Sequence, residues 1–550
     1  MALAALLTFA AAYAWWRTRG ASLPFEDAAI LLRYSENLAG GHGIVWNLGE
    51  QPLDGATDFL FMVSVAAVMK LGLSVENAAK ALELVAHLAT VAVVYVSIRR
   101  VWRAPTWMAL ASGAYVATGP ALAYVAAYFG TPFFTLWVAL VWYAASRLLV
   151  DGPTHRRAAA FAALALVMGL TRPDGVFLAV FMLLGLLVAT AMRSGSLRGA
   201  VRGSASVIGW FAGVYVLVGG AYFAWRWQYF DHPLPNPFYV KSERTLSSIF
   251  SSARTSVSNV LSLTAPFLLA LVLGLRSRRT AWRAVFPLLP IVAYALIWAL
   301  LNDLNYEARF QYATLPIALM SWPAAVQGLW SEWGFPRLPE LRLGPRARAT
   351  LAAVLVLVVI SGLKGQVVRY GGTSLPRDGR ADLARMLHDY AGRGYMLATT
   401  EAGLLPLYSG WRVIDTWGLN DAWIARHGAV TAEYLDRSAP EVIMVHAFFS
   451  PITRPQRERR PGSGGRNWDS MVQTLKHYAE RRPYRLAAAF GREPADSHYY
   501  YVRRDFPDSE EITRRIRRLD YAWYLDGESS FDFAAIARGE RVRGSHEPAG

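Results

Sequence analysis

The chain has 550 residues, 54% of them hydrophobic and only 17% charged, where a soluble domain carries about a quarter charged, so lipid is its main solvent. Its net charge of +16 does not point to nucleic acid, because the arginines fall in short clusters between apolar runs, the pattern of cytoplasmic loops facing anionic lipid. The absence of cysteine excludes disulfides, thiolate metal sites and cysteine nucleophiles.

A membrane span needs about 20 apolar residues. Eleven segments qualify as candidates: 2–16, 78–98, 104–124, 131–150, 157–171, 174–192, 205–226, 258–275, 283–301, 309–330 and 349–363. The first reads as an anchor rather than a cleaved signal, since Trp15-Trp16-Arg17 is a poor cleavage site. Segment 57–73 decides the topology. The clusters Arg99/Arg100/Arg103, Arg156/Arg157, Arg193/Arg198/Arg202, Arg276/Arg278/Arg279/Arg283 and Arg337/Arg342/Arg346/Arg348 share the cytoplasmic side only if 57–73 does not cross. That segment is therefore expected to be an interfacial or re-entrant helix. The N-terminus is then inside and 364–550 outside, with Arg17 and Arg19 on the outer side against the rule. The outer face gathers loops 17–77, 125–130, 227–257 and 302–308 and the 172–175 turn, which hold nearly all the unusual chemistry.

From about 364 the composition changes to that of a compact soluble domain. Short β-like runs at 395–400, 412–415 and 442–445 alternate with helical runs at 380–390 and 468–481, which reads as α/β. Residues 452–467 read as a solvated loop and the last dozen as disordered. The fold class expected is an α-helical polytopic membrane protein over 1–363 with a C-terminal α/β domain over 364–550.

Glu26-Asp27 begins the list of residues with chemistry. Adjacent carboxylates at a membrane boundary are costly to desolvate, so they stay in water or serve a role. The plain reading is a helix N-terminus, with acids in the first turn of Pro24-Phe25-Glu26-Asp27-Ala28. The functional one is a general base. Further on, His42 between two glycines can approach a phosphate or carbohydrate closely, although a lone histidine is more often structural. Trp46 is either a stacking surface for a sugar or part of an aromatic belt.

Four stretches together resemble the GT-C glycosyltransferases related to the mycobacterial terminal β-(1→2)-arabinofuranosyltransferase. They are Glu26-Asp27-Ala28 through Asp54-Gly55; Leu170-Thr171-Arg172-Pro173-Asp174-Gly175; Tyr229 through Pro235-Asn236-Pro237-Phe238-Tyr239-Val240-Lys241; and Glu401-Ala402-Gly403 through Gly418-Leu419-Asn420-Asp421. The sequence departs from the family in opening with Glu26 rather than a first aspartate, and in Phe129-Gly130-Thr131-Pro132, which lacks an acid. The resemblance implies a GT-C fold and a polyprenyl-phosphate sugar donor. It also implies inverting transfer of a monosaccharide such as arabinofuranose to an envelope glycan or glycolipid on the periplasmic side of the bacterial inner membrane. A loop carboxylate, Asp27 or Glu26, would be the base, with family position favouring Glu26. Lys241, Arg309 and Arg172 would hold the carrier phosphate, for which multidentate cations are suited, and Asn236 and Tyr239 would hydrogen-bond the donor. Each of the three cations alone is also a snorkelling interface residue, and Arg172 is alternatively structural glue for Asp174 or for Glu26 and Asp27. Glu307 is either a supporting acid or a solvated charge.

No HExxH, Walker loop, GxSxG elbow or His/Cys metal spacing occurs, and no cofactor is expected. A divalent cation on Glu26, Asp27 and Glu307 remains an alternative, because oxygen ligands suit such ions. Two other GT-C acceptors (lipid A or protein), a polyprenyl-glycan flippase and a non-catalytic assembly factor are the competing readings. Convergence of Glu26, Asp27, Lys241 and Arg309 on one cavity favours an enzyme, and their dispersal favours a scaffold.

Overall fold

The structure is a computed structural model that describes residues 1–241, 246–277, 279–300, 308–332, 379–447, 468–491 and 497–519. Among these, six helices are long and apolar enough to cross a membrane: Val75–Arg100, Thr106–Ala127, Thr131–Asp151, Asp174–Ser194, Ala205–Phe230 and Ile249–Gly274. Helices Ala2–Thr18, His155–Thr171, Trp282–Leu300 and Thr314–Glu332 stand where four further spans are expected but do not meet that combined length and apolarity. The eleventh expected span, 349–363, and the loop 452–467 lie outside the described residues. The chain is nonetheless a multi-pass membrane protein: Val216, Leu217 and Val218 are 71%, 73% and 55% exposed on the outside of the Ala205–Phe230 span, a surface that only lipid can cover cheaply.

Helix boundaries follow local chemistry. Thr131–Asp151 opens after Gly130 in the left-handed region (φ +71°) with proline in its first turn, and Asp174–Ser194 opens on an acid and closes at Gly195 (φ +70°). Segment 57–73 forms an 11-residue helix, Phe59–Met69. At about 1.5 Å per residue it reaches about 16 Å, half a bilayer core. It packs on helices Glu26–Ala39, Val75–Arg100 and His155–Thr171, with Phe61, Met62 and Val65 fully buried.

The bundle has two chemically distinct ends. At one end Arg157 donates to the carbonyls of Asp151 and Gly152, and Arg193 donates to Leu149 O and lies over the Trp282 ring at 5.7 Å. The basic turns therefore sit together. At the other end meet the turns around residues 26, 58, 129, 172, 236 and 309, with the C-terminal domain upon them.

That domain is a five-stranded mixed sheet, β1 Met396–Thr399, β2 Arg412–Asp415, β3 Val442–His446, β4 Tyr484–Gly491 and β5 Ser497–Arg503, in the order β2-β1-β3-β5-β4. β1 pairs parallel with β2 and β3, whereas β5 runs antiparallel to β3 and β4. Both faces of β3 are buried, as its unbroken apolar run requires. Alternate residues divide between two cores, since side chains in a strand alternate faces. Ile443, Val445, Tyr499 and Tyr501 pack with helix Trp468–Arg481, while Val442, Met444, Tyr500 and Val502 belong to a core continuous with the membrane bundle. One face of the sheet thus docks on the bundle.

Helix Glu26–Ala39 is the seam. Arg33, 7% exposed, donates to Trp46 O (2.8 Å), Asn47 Oδ1 (3.0 Å) and Trp411 O (2.9 Å), and to Pro406 O. Trp46 Nε1 and Asn47 Nδ2 donate to Val413 O, and Val413 N donates back to Asn47 Oδ1 (2.9 Å). Arg33→Met is expected to lower stability by about 3 kcal/mol, because it strands several buried acceptors. Thermal unfolding in detergent, with limited proteolysis of the C-terminal domain, measures it; a melting curve like wild type would contradict this role.

Candidate active site

Successive residues of a helix point about 100° apart, and this separates the two acids. Phe25 N donates to Ala127 O (3.1 Å), which sets the start of helix Glu26–Ala39 against the bundle. Glu26 turns into the C-terminal domain. Its Oε1 accepts from the N–H groups of Gly403 and Leu404 (3.1 Å to Leu404), capping helix Leu404–Ser409, and its Oε2 accepts from Arg380 Nη1 at 2.9 Å. The approach is so close that a Cβ on Gly403 would lie 1.9 Å from the Glu26 carbonyl oxygen, so only glycine fits. Asp27, 54% exposed at its side chain, points instead into an open cavity, where Arg309 Nη2 reaches its Oδ2 at 3.3 Å.

The cavity encloses about 660 Å³ including its solvent-open mouth. Asp27, Asp58, Arg172 and Arg309 supply its charge, Phe129 and Phe310 line it, and Leu419 brings the C-terminal domain to its rim. Arg172, 5% exposed, donates from Nε to Asp174 Oδ1 (3.0 Å) and lies 3.9 Å from Asp58 Oδ1, with its guanidinium over the rings of Phe134 and Phe310. Asp174 is in turn bonded by the Tyr294 hydroxyl. Of the partners weighed for Arg172, Asp174 is the one it has. Arg309 lies 3.9 Å over Phe129, and its buried Nε has no hydrogen-bond partner among the described residues. Burial pushes the Asp58 carboxyl up from its ordinary range, against the pull of Arg172.

His42, Trp46, Asn236 and Tyr239 do not line this cavity. His42 is exposed in the turn after the helix, at the end away from Asp27, and is not part of the cavity wall. Trp46 is 2% exposed, with its indole bonded to Val413 O and its ring under Arg33, so it is a seam residue and cannot stack on a sugar. Asn236, 4% exposed, spends its amide on Gly418 O and Leu419 O (2.9 Å each), and its backbone N–H on Asp54 O (2.8 Å). Its neighbour Pro237 lines the cavity, while Asn236 itself does not. Tyr239 is 37% exposed beside His232, outside the cavity lining. The side chain of Lys241 and all of Glu307 lie outside the described residues. No group of three or more acidic or imidazole side chains able to hold a metal occurs among the described residues, and Glu26 and Asp27 diverge.

Sequence reasoning passed over Asp58, which stands directly before the apolar run Phe59–Met69, the ordinary place for an N-cap. It also passed over Glu83, whose carboxylate accepts from Gly130 N and so brings an acid to a turn that carries none.

The rim is shaped by Asp415, fully buried, which accepts from Trp417 N (3.1 Å), Gly418 N (3.2 Å) and Asn420 N and Nδ2 (2.8 and 3.0 Å). Burial pushes its carboxyl up to about 6, the hydrogen bonds opposing. A raised carboxyl stabilises the fold below its unfolded value, about 4, and this contribution is lost as pH rises through about 6. Asp415→Asn removes that titration. The stability difference, wild type minus variant, is therefore expected to shrink by about 3 kcal/mol at most between pH 4 and pH 7. Denaturation series across that range measure it; a constant difference would contradict the assignment.

A family described as a domain of unknown function (DUF8728) matches residues 369–505. No curated protein matches the chain in sequence. Among solved structures, ArnT from Cupriavidus metallidurans in the apo state is similar, with a TM-score of 0.54 and 14% identity over 90% of this chain and 97% of that one. The archaeal oligosaccharyltransferase AglB from Archaeoglobus fulgidus, in complex with an inhibitory peptide and a dolichol-phosphate, gives 0.52 and 9% over 92% and 75%. The mycobacterial arabinofuranosyltransferase AftD gives 0.48 over 41% of that chain, too distant to bear on the sugar. The helical bundle and C-terminal sheet of this chain share the fold of these ArnT and AglB structures.

Proposed function

We propose that the chain is an inverting glycosyltransferase that takes a monosaccharide from a polyprenyl phosphate. The observation that carries this reading is the cavity in which Asp27 is open and paired with Arg309 while Arg172 stands behind. A general base must reach the acceptor hydroxyl, and Asp27 is the acid free to do so; Glu26 is engaged with Gly403, Leu404 and Arg380. In the transfer, the acceptor hydroxyl gives its proton to Asp27 as its oxygen bonds the anomeric carbon. The bond from that carbon to the phosphate oxygen breaks, and the phosphate leaves with the electron pair. Arg309, assisted by Arg172 and by Lys241 at the end of helix Asn236–Lys241, stabilises the charge that grows on the phosphate. The AglB complex holds a dolichol-phosphate, which supports a lipid phosphate as carrier. The five one-sided arginine clusters support a site facing the periplasm of a bacterial inner membrane. The four family stretches favour arabinofuranose and an envelope glycan or glycolipid acceptor.

The test uses purified protein with radiolabelled polyprenyl-phosphate sugars and envelope acceptors. Asp27→Asn is expected to lower kcat by on the order of 10³-fold with the fold intact, since a neutral amide cannot take the proton. Glu26→Gln is expected to keep measurable turnover with reduced thermal stability. Near-normal turnover in Asp27→Asn would overturn the base assignment, and loss in Glu26→Gln alone would transfer the role to Glu26.

A further inference from the structure

We propose that Asp58 recognises the hydroxyl groups of the donor sugar, an inference that rests on the glycosyl-transfer reading and names a determinant of its specificity. Asp58 is 7% exposed and lines the cavity. It occupies the N-cap of helix Phe59–Met69 yet makes no cap hydrogen bond. Thr57 offers it one hydrogen bond. Its nearest cation, Arg172, stands 3.9 Å away and is held closer, at 3.0 Å, by Asp174. A carboxylate has about four acceptor positions, and its buried oxygens normally each have at least one partner. Among the described residues only Thr57 hydrogen-bonds the Asp58 carboxylate, which lines the cavity.

The cavity's other charges narrow what can fill the acceptor positions. A phosphate at Arg309 would be repelled by Asp58, so the carboxylate faces a part of the substrate that is neutral and rich in donors. A cation is a poor fit, because no third acidic or imidazole ligand gathers there among the described residues. Two adjacent sugar hydroxyls match the paired oxygens of a carboxylate, and charged acceptors make the stronger hydrogen bonds. Asp27, more open to solvent, is left for the acceptor.

The experiment measures binding of the full chain in detergent to bare polyprenyl phosphate and to polyprenyl-phosphoryl pentoses and hexoses, arabinofuranose included. Wild type is expected to hold one glycosylated lipid more tightly than the bare one. Asp58→Asn is expected to weaken that lipid on the order of 10-fold while leaving bare polyprenyl phosphate within about twofold. Asp58→Ser is the second variant should the amide misfold, with thermal unfolding as the control. Equal weakening of both lipids would mean that Asp58 only steadies Arg172, and no weakening of either would mean that it touches neither; both overturn the proposal. If wild type binds none of these lipids, glycosyl transfer itself fails, a result distinct from a failure of Asp58 alone.

Discussion

Glu26 and Arg33 are charged groups held out of water between the membrane bundle and the C-terminal domain, and the domain supplies partners to both. Glu26 needs the free N–H groups of Gly403 and Leu404 and the guanidinium of Arg380. Arg33 needs carbonyls from Pro406 and Trp411. One short helix is thereby fixed at both of its first two turns to the C-terminal domain far along the chain. With Glu26 turned into the domain, helical geometry sends Asp27 the other way, into the cavity. The orientation of the open acid is thus a consequence of where its neighbour is buried.

The same seam explains why several residues that look chemical are structural. Trp46, Asn47 and Asn236 all end on backbone groups of the segment 413–419. Gly55 belongs to this contact as well: a Cβ there would lie 2.2 Å from Asn420 Oδ1 and 2.4 Å from the Tyr34 hydroxyl. Arg226 and Asp54 pair beside it. The loop from 44 to 58 is therefore pinned at several points, and its last residue, Asp58, reaches the cavity as a buried acid. Arg172 and Arg309 differ in the same terms. The first is locked by Asp174, itself bonded by Tyr294, while the second keeps a buried nitrogen without a partner among the described residues.

Much of the architecture was legible in the sequence, because apolar length and strand alternation are local properties. Strands Met396–Thr399, Arg412–Asp415 and Val442–His446 and helices Arg380–His388 and Trp468–Arg481 lie where periodicity puts them. The arginine clusters led to the expectation that 57–73 does not cross, and the helix there, Phe59–Met69, has 11 residues. The span count was less legible, since helices such as His155–Thr171 are short and partly shielded by neighbours, so hydropathy alone does not mark them as crossing. Asp27 and Arg309, 282 residues apart, do meet. What the sequence does not carry is direction: nothing local distinguishes Glu26 from Asp27, or a tryptophan facing sugar from one facing a guanidinium, and only the docked domain decides.

Hydrogen exchange along helix Glu26–Ala39 tests most directly whether the domain holds that helix. In a Glu26→Gln/Arg380→Met double variant the amides of its second turn, which have intrahelical partners, are expected to exchange at least about 10-fold faster than in wild type, while those of Val75–Arg100 stay unchanged. Equal exchange in both proteins would contradict the account, because the helix would then be held by the membrane bundle alone.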